Sequence, residues 1–172
     1  MVRSYYSPTR RNTAIIALAA AASIAASMAG YYAAEAEKYY HLSNAALTTA
    51  ARHEHQADLQ ARHDEELLIQ ATIEYSNNET RIGDLLASQV SQQAKNNMIF
   101  DKESNTLSLT PKYYDVIFLD YFNSTQAEHD YLDHAELSDE YSRQSIIATS
   151  VLTATVVIFS ELTRRKENSS SA

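Results

Sequence analysis

Two stretches of the chain are apolar and carry no charge, one near each end. They are residues 13–34 and residues 145–160. A helix rises about 1.5 Å per residue, so the first stretch is long enough to span the roughly 30 Å hydrocarbon core of a bilayer. The second is shorter and reaches a spanning length when it is extended to residue 163, with flanking charged side chains reaching outward. We therefore expect transmembrane helices at 13–34 and 145–163.

Between the two apolar stretches, apolar residues recur at the spacing of amphipathic helices. From residue 35 to residue 75 no Pro or Gly interrupts the chain. A narrow stripe of mainly small residues falls on one side of this predicted helix, and it consists of Ala46, Ala50, Ala57, Ala61, Leu68 and Ala71. His53 and Asp64 intrude into the stripe. Such a narrow seam is typical of helices that pair closely.

Further along the chain, the pattern predicts a turn, two more helices and a loop. Ser76 to Asn78 should end the first helix, with Asn78 capping the next. That second helix should bury Ile82, Leu86, Val90 and Ala94. Residues 96–112 have the composition of a loop. Pro111 is positioned to open a third helix, which starts at Tyr113 and continues into the C-terminal span.

The composition supports a fold made of helices, because the chain has only two Gly and two Pro and no Cys. The expected fold is an all-α membrane protein in which two transmembrane helices flank an extracytoplasmic helical hairpin or coiled-coil bundle. The expected segments are a basic tail at 1–12, a span at 13–34, the helical region at 35–144, a span at 145–163 and a tail at 164–172.

Charge is distributed unevenly and predicts the orientation. The first 33 residues carry a charge of about +3 and the last 28 about +1. Because the whole chain has a net charge of −8, residues 34–144 carry −12. Basic residues collect on the cytoplasmic side of membranes, so both termini should be cytoplasmic and the acidic middle should face outward. An acidic middle without a basic patch also excludes nucleic-acid binding by that region.

Two other interpretations of the apolar stretches stay open. The N-terminus also fits a secretory signal peptide, with a basic start, an apolar run and Ser27-Met28-Ala29 as a cleavage site. In that case residues 145–163 would still anchor the chain in the membrane. Alternatively, both stretches could be core helices of a soluble protein, although residues 14–29 lack the polar stripe that such a helix normally has.

Histidines and carboxylates provide the only candidate chemistry, and it is weak. On a helix His129 and Asp133 are i,i+4 neighbours, as are Asp130 and His134, and each pair could contribute to a divalent metal site. The ordinary alternative is a solvated polar face. No phosphate-binding loop, nucleophile motif or dinucleotide fingerprint is present. The sequence therefore predicts a protein that is not an enzyme and has no cofactor.

An aromatic patch at residues 113–122 is the most apolar part outside the two spans. It could pack on the small-residue stripe of the first helix, or it could bind a partner. The candidate partner-binding residues are Tyr114, Ile117, Phe118, Tyr121 and Phe122. The stripe offers little apolar area to cover them, so we expect either a homo-oligomer or a place in a larger membrane protein complex.

Three sequences have the pattern of N-glycosylation acceptors. Asn78-Glu79-Thr80 and Asn123-Ser124-Thr125 lie on the side predicted to be external. The third, Asn168-Ser169-Ser170, lies on the side predicted to be internal. The pattern arises often by chance.

The order of segments resembles that of small prokaryotic membrane proteins with a span near each end and an Ala/Glu/Tyr-rich coil between them. The residues that carry this resemblance are NTAIIALAAAASIAA near the N-terminus and AELSDEYSRQSIIATSVLTATVVIF near the C-terminus. Those proteins have no known activity, so the resemblance implies no function. We expect a membrane scaffold or accessory subunit, or alternatively a membrane-anchored sensor that binds a metal ion or responds to pH.

Overall fold

The computed structural model describes the backbone of residues 8–170 and the side chains of residues 12–165. The described chain is mostly helical. Its elements are α1 (Pro8–Ser76), α2 (Thr80–Gln89), α3 (Gln92–Asn97), β1 (Met98–Asp101), β2 (Thr106–Leu109), α4 (Pro111–Ile117) and α5 (Leu119–Ser170). The chain divides into two compact units, a terminal unit (Met1–His41 with Tyr131–Ala172) and a central unit (Leu42–Asp130).

Burial along α1 recurs at every seventh residue. The buried positions of this row are Ala29, Ala36, Ser43, Ala50, Ala57, Asp64 and Ala71. Seven residues are close to two helical turns, so this spacing keeps one narrow side of a helix facing its neighbours. Small side chains on that side allow a neighbouring backbone to approach closely. The structure confirms the stripe expected from the sequence, except that Ala46 is only half-buried.

In the terminal unit, α1 and α5 run antiparallel and touch through small and aromatic residues. The Ser142 hydroxyl donates a hydrogen bond to the carbonyl oxygen of Ala29 at 3.1 Å. The Tyr32 and Tyr141 rings lie 5.3 Å apart, centroid to centroid. Burial of Ala135, Ser138 and Ser142 on α5 matches the small residues on α1.

The apolar stretches of the terminal unit are exposed. Each of the two long helices contains an 18-residue window with a mean hydropathy of 1.8. The window within Asn12–Ser76 is 6% buried, and the window within Leu119–Arg165 is 0% buried. Both helices are long and apolar enough to cross a membrane, which indicates membrane association. A core helix of a soluble protein would be mostly buried, whereas these two windows are exposed in the single chain. The exposed large side chains include Ile16, Ile24, Ile146, Ile147, Val151, Val157, Ile158 and Phe159.

The central unit has a small hydrophobic core built from several elements. The buried members are Ala61, Leu67, Leu68, Val90, Ala94 and Tyr113, contributed by α1, α3, α4 and the connection between α2 and α3. Nearer the N-terminus of α1, the Ser43 hydroxyl donates to a carboxylate oxygen of Glu128 on α5 at 3.4 Å. The unit therefore combines a local core with an antiparallel pairing of α1 and α5.

The loop expected at residues 96–112 contains a β-hairpin. β1 and β2 pair antiparallel, with Met98 opposite Leu109 and Asp101 opposite Thr106. The backbone N–H of Leu107 donates to the Thr72 hydroxyl on α1 at 3.0 Å, which fixes the hairpin to the unit. Each strand has only four residues, too few for a clear alternation in the sequence. The sequence signal for the hairpin is the polar run at residues 101–105, which favours a turn. Asn105 at its end has a φ of 53°, which suits a tight turn.

The structure corrects the predicted helices at several points. The second helix ends at Gln89, so Val90 and Ala94 lie outside α2, in the connection that follows and in α3. Asn78 does not cap α2, because it takes a left-handed conformation with φ 64°, and Glu79 occupies the cap position instead. Ile82 is 44% exposed, while Gly83 takes the buried side of α2. The third helix is not continuous, since Phe118 separates α4 from α5. The coiled-coil arrangement stays a prediction.

Candidate functional site

One side of the aromatic segment at 113–122 is locked into the core of the central unit. Tyr113 is completely buried, and its hydroxyl donates to Asp64 at 2.7 Å. The neighbouring Tyr114 hydroxyl donates to a carboxylate oxygen of Glu65. Ile117, one helical turn beyond Tyr113, packs against the same core. The side of α4 that faces α1 is therefore occupied by contacts within the chain and is not free to bind a partner.

Asp64 joins three helices through its buried carboxylate. It accepts hydrogen bonds from the backbone N–H of Ser91 at 2.7 Å and from the Ser91 hydroxyl at 2.5 Å, besides the one from Tyr113. The Ser91 hydroxyl in turn caps α3 by accepting from the N–H of Ala94 at 3.1 Å. A buried carboxylate is costly unless it is paired in this way. The three donors account for the presence of an acid in a row of small residues.

The carboxylates of α1 act on the two tyrosines of α4. Burial, followed by the hydrogen bond to Asp64, raises the pKa of the Tyr113 phenol well above its usual range. The hydrogen bond to Glu65, followed by burial, raises the pKa of Tyr114 to about 12. Both phenols are therefore neutral donors at physiological pH. They hold α4 in place and are not poised to act as general acids or bases.

The opposite side of the segment is exposed and apolar. Val116 is 43% exposed, Leu119 53% and Phe122 55%. The interruption at Phe118 does not break the helical path, because its N–H bonds the Tyr114 carbonyl and its own carbonyl accepts from the N–H of Phe122, both at 3.0 Å. Residues three apart on a helical path are neighbours. By this spacing the three exposed residues Val116, Leu119 and Phe122 fall on one side of the segment, and together they are here named the exposed strip.

The five residues expected to bind a partner are divided between the two sides of the segment. Tyr114 and Ile117 pack against the unit's own core. Phe118 and Tyr121 are half-buried, with ring centroids 6.4 Å apart. Of the five, Phe122 is the one that is exposed. Val116 and Leu119 were not predicted to bind a partner, although their three-residue spacing to Phe122 is visible in the sequence.

The histidines considered for metal binding have other neighbours. In the terminal unit, the His134 ring stacks on Tyr39 with centroids 5.1 Å apart. In the central unit, His129 lies 3.6 Å from Glu128, and Asp130 accepts from Gln126 at 2.9 Å. Within the described side chains, no group of three or more His, Cys, Asp or Glu residues could hold a metal ion. The metal site stays a prediction without a ligand set.

An open groove of about 460 Å³ lies beside the hairpin of the central unit. Its walls are mostly apolar, and the lining residues are Tyr75, Asp84, Ala87, Ser88, Lys95, Met98, Phe100 and Leu107. The Tyr75 hydroxyl donates to Asp84 at 2.7 Å, and burial followed by that bond raises the Tyr75 pKa to about 12. The Ser88 hydroxyl is turned to its own helix, where it donates to the Leu85 carbonyl at 2.6 Å. The hydroxyls of Tyr75 and Ser88 are thus engaged within the groove or with their own helix.

The candidate site is therefore the exposed strip on the surface of the central unit. Comparison with known proteins adds no further assignment: the chain matches no protein-family model, no curated protein and no solved structure.

Proposed function

We propose that the protein is a non-enzymatic accessory or scaffold subunit of a membrane, which crosses the bilayer at residues 13–34 and 145–163. Its central unit is presented to protein partners outside the membrane. The observation that carries this proposal is the exposure of the two apolar windows, 6% and 0% buried at mean hydropathy 1.8. Such helices are stable in water only when something covers them, and lipid covers every side at once.

The charges at the ends of the chain support the orientation. Arg10 and Arg11 precede the first span, and Arg164, Arg165 and Lys166 follow the second. The positive-inside rule assigns both flanks to the cytoplasm. Two spans return the chain to the side on which it began, so the two assignments agree.

The exposed strip is the surface that we assign to the partner. Its inner side is fixed by the Tyr113–Asp64 hydrogen bond, so the strip is held on a rigid support before binding. Rigid support lowers the entropic cost of association. Phe122 supplies the large aromatic side chain that most often dominates interface energies.

Substitution of the strip tests this function. In the full chain, Val116, Leu119 and Phe122 are changed together to Ser, and complexes from mild detergent are sized and their components identified by mass spectrometry. We expect the wild-type protein to migrate in a complex and the variant to be released from it. Membrane insertion should be unaffected, because the substitutions lie outside both spans.

In a matched control variant, three apolar residues of α1 with similar exposure are substituted instead. Leu59, Ile69 and Ile73 are 55%, 61% and 52% exposed, and changing them to Ser should leave the complex intact. A wild-type protein that is already monomeric, with no change in the strip variant, would remove the basis for a scaffold.

A further inference from the structure

The two glycosylation-type sequences of the central unit are in contrasting structural settings. Asn78 lies in the connection between α1 and α2, is exposed and has φ 64°. Asn123 lies within α5, in the second turn of the helix. The same motif is therefore presented once on a turn and once on a helix.

The hydroxyl of the third motif residue differs between the two sites. A transferase must contact this hydroxyl to position the asparagine. Thr80 is exposed at the first residue of α2, and its hydroxyl has no hydrogen-bond partner among the described residues. Thr125 is half-buried, and its hydroxyl donates to the carbonyl oxygen of Tyr121 at 3.0 Å. Only the first motif offers both groups to an enzyme.

The residue between them is also constrained at the second site. The Ser124 hydroxyl donates to the Asp120 carbonyl at 2.8 Å and lies 3.1 Å from the His53 ring nitrogen on α1. Drawing Asn123-Ser124-Thr125 into a transferase would require α5 to unwind and leave α1. At the first site, the turn ends one helix and precedes the next, so less structure has to open.

From this contrast we propose that Asn78 is an acceptor for an N-linked oligosaccharide and that Asn123 is not. The side-chain amide nitrogen of Asn78 forms a bond to the anomeric carbon of a lipid-linked oligosaccharide. The bond from that carbon to the lipid phosphate breaks, the lipid phosphate leaves, and one amide proton passes to a base of the transferase. The inference rests on the proposed orientation, because the transfer occurs on the external side of the membrane.

The first experiment is independent of orientation. The folded full chain, with Asn168→Gln in every variant to remove the third motif, is incubated in detergent with a lipid-linked oligosaccharide and with a single-subunit oligosaccharyltransferase that accepts both Asn-x-Thr and Asn-x-Ser. We expect one glycan per chain, lost in Asn78→Gln and retained in the matched control Asn123→Gln. Gln adopts a positive φ less readily than Asn, so Asn78→Gln could also disturb the turn. Thr80→Ala and Thr80→Ser therefore serve as a second pair of variants that leaves Asn78 in place. The glycan should disappear in the first of these and persist in the second.

The second experiment uses the protein from its own membranes, where peptide mass spectrometry should find the glycan on Asn78. Absence of transfer in detergent, or transfer to Asn123, overturns the inference whatever the orientation. Transfer in detergent without a glycan on the native protein also overturns it as a native modification. In that case, labelling of the 101–106 turn from outside the cell shows whether the proposed orientation still stands.

Discussion

A single buried carboxylate organises the central unit at the scale of residues. Asp64 is fully buried within a row that is otherwise Ala or Ser, and three donors from Ser91 and Tyr113 converge on it. Apolar contacts are not directional, whereas these hydrogen bonds fix where α3 and α4 lie on α1. The position of the exposed strip depends on this arrangement, since the strip is the other side of α4 and the start of α5.

Removal of this carboxylate should destabilise the central unit. Asp64→Ala leaves the two Ser91 donors and the Tyr113 hydroxyl without their partner inside the core. We expect the free energy of unfolding to fall by roughly 2–4 kcal/mol. Asp58→Ala is the matched control on the same helix, because Asp58 makes an exposed pair with Arg62 at 2.8 Å, and it should change stability by less than about 0.5 kcal/mol. Denaturant unfolding in detergent would measure both, and equal effects would contradict the role of Asp64.

The phenols of α4 should make the fold sensitive to alkali. The Tyr114 pKa is raised to about 12 from an ordinary value of 10.0, so the folded state holds its proton more tightly than the unfolded state. The stabilisation is complete below pH 10 and is lost as the pH rises through 12. Tyr114→Phe should therefore flatten the fall of the melting temperature between pH 10 and 12. Melting curves at several pH values would show this, and an unchanged slope would exclude the contribution.

At the scale of elements, the packing requires that neighbouring helices approach the row of small buried residues on α1 closely. Ala50 is 2% exposed and belongs to the row that is buried at every seventh residue. Small side chains on this row leave no volume for a larger one without moving a neighbour. The row therefore fixes distance, while aromatic and polar contacts at its sides fix register.

Enlarging one member of the row tests this requirement. Ala50→Leu should lower the stability of the central unit by about 1–3 kcal/mol through overpacking. Ala51→Leu, at the exposed neighbouring position, adds the same atoms without a clash and should have little effect. Thermal unfolding of the two variants in detergent provides the comparison. Equal melting temperatures would mean that the row tolerates larger side chains.

At the scale of the whole molecule, the proposed membrane orientation rests on the uneven charge distribution and can be tested directly. Because the chain has no Cys, single cysteines can report on each side. Lys102→Cys in the hairpin turn should react with a membrane-impermeant maleimide in intact cells. Ala172→Cys should react only after the membrane is permeabilised. The reverse pattern would contradict the orientation, and the intact mass of the same protein distinguishes an uncleaved first span from a cleaved signal peptide.

Local periodicity was sufficient to predict several features of this protein. The two apolar windows, the end of α1 near Ser76, the opening of α4 by Pro111 and the stripe around Ala50 follow from spacing and from turn chemistry within a few residues. These signals are local because a helix brings together residues three and four apart.

Tertiary structure alone decided which side of the aromatic segment faces outward. Tyr113 is buried because Asp64, 49 residues away in sequence, accepts its hydrogen bond, and no local pattern records that pairing. The same contact turns Ile117 inward and leaves Leu119 exposed. The hairpin depends on a hydrogen bond from the Leu107 N–H to the Thr72 hydroxyl, and these two residues are 35 apart in sequence. Periodicity in a single sequence shows which residues share one side of a helix. Which polar residue is buried depends on the distant partner that accepts or donates its hydrogen bond.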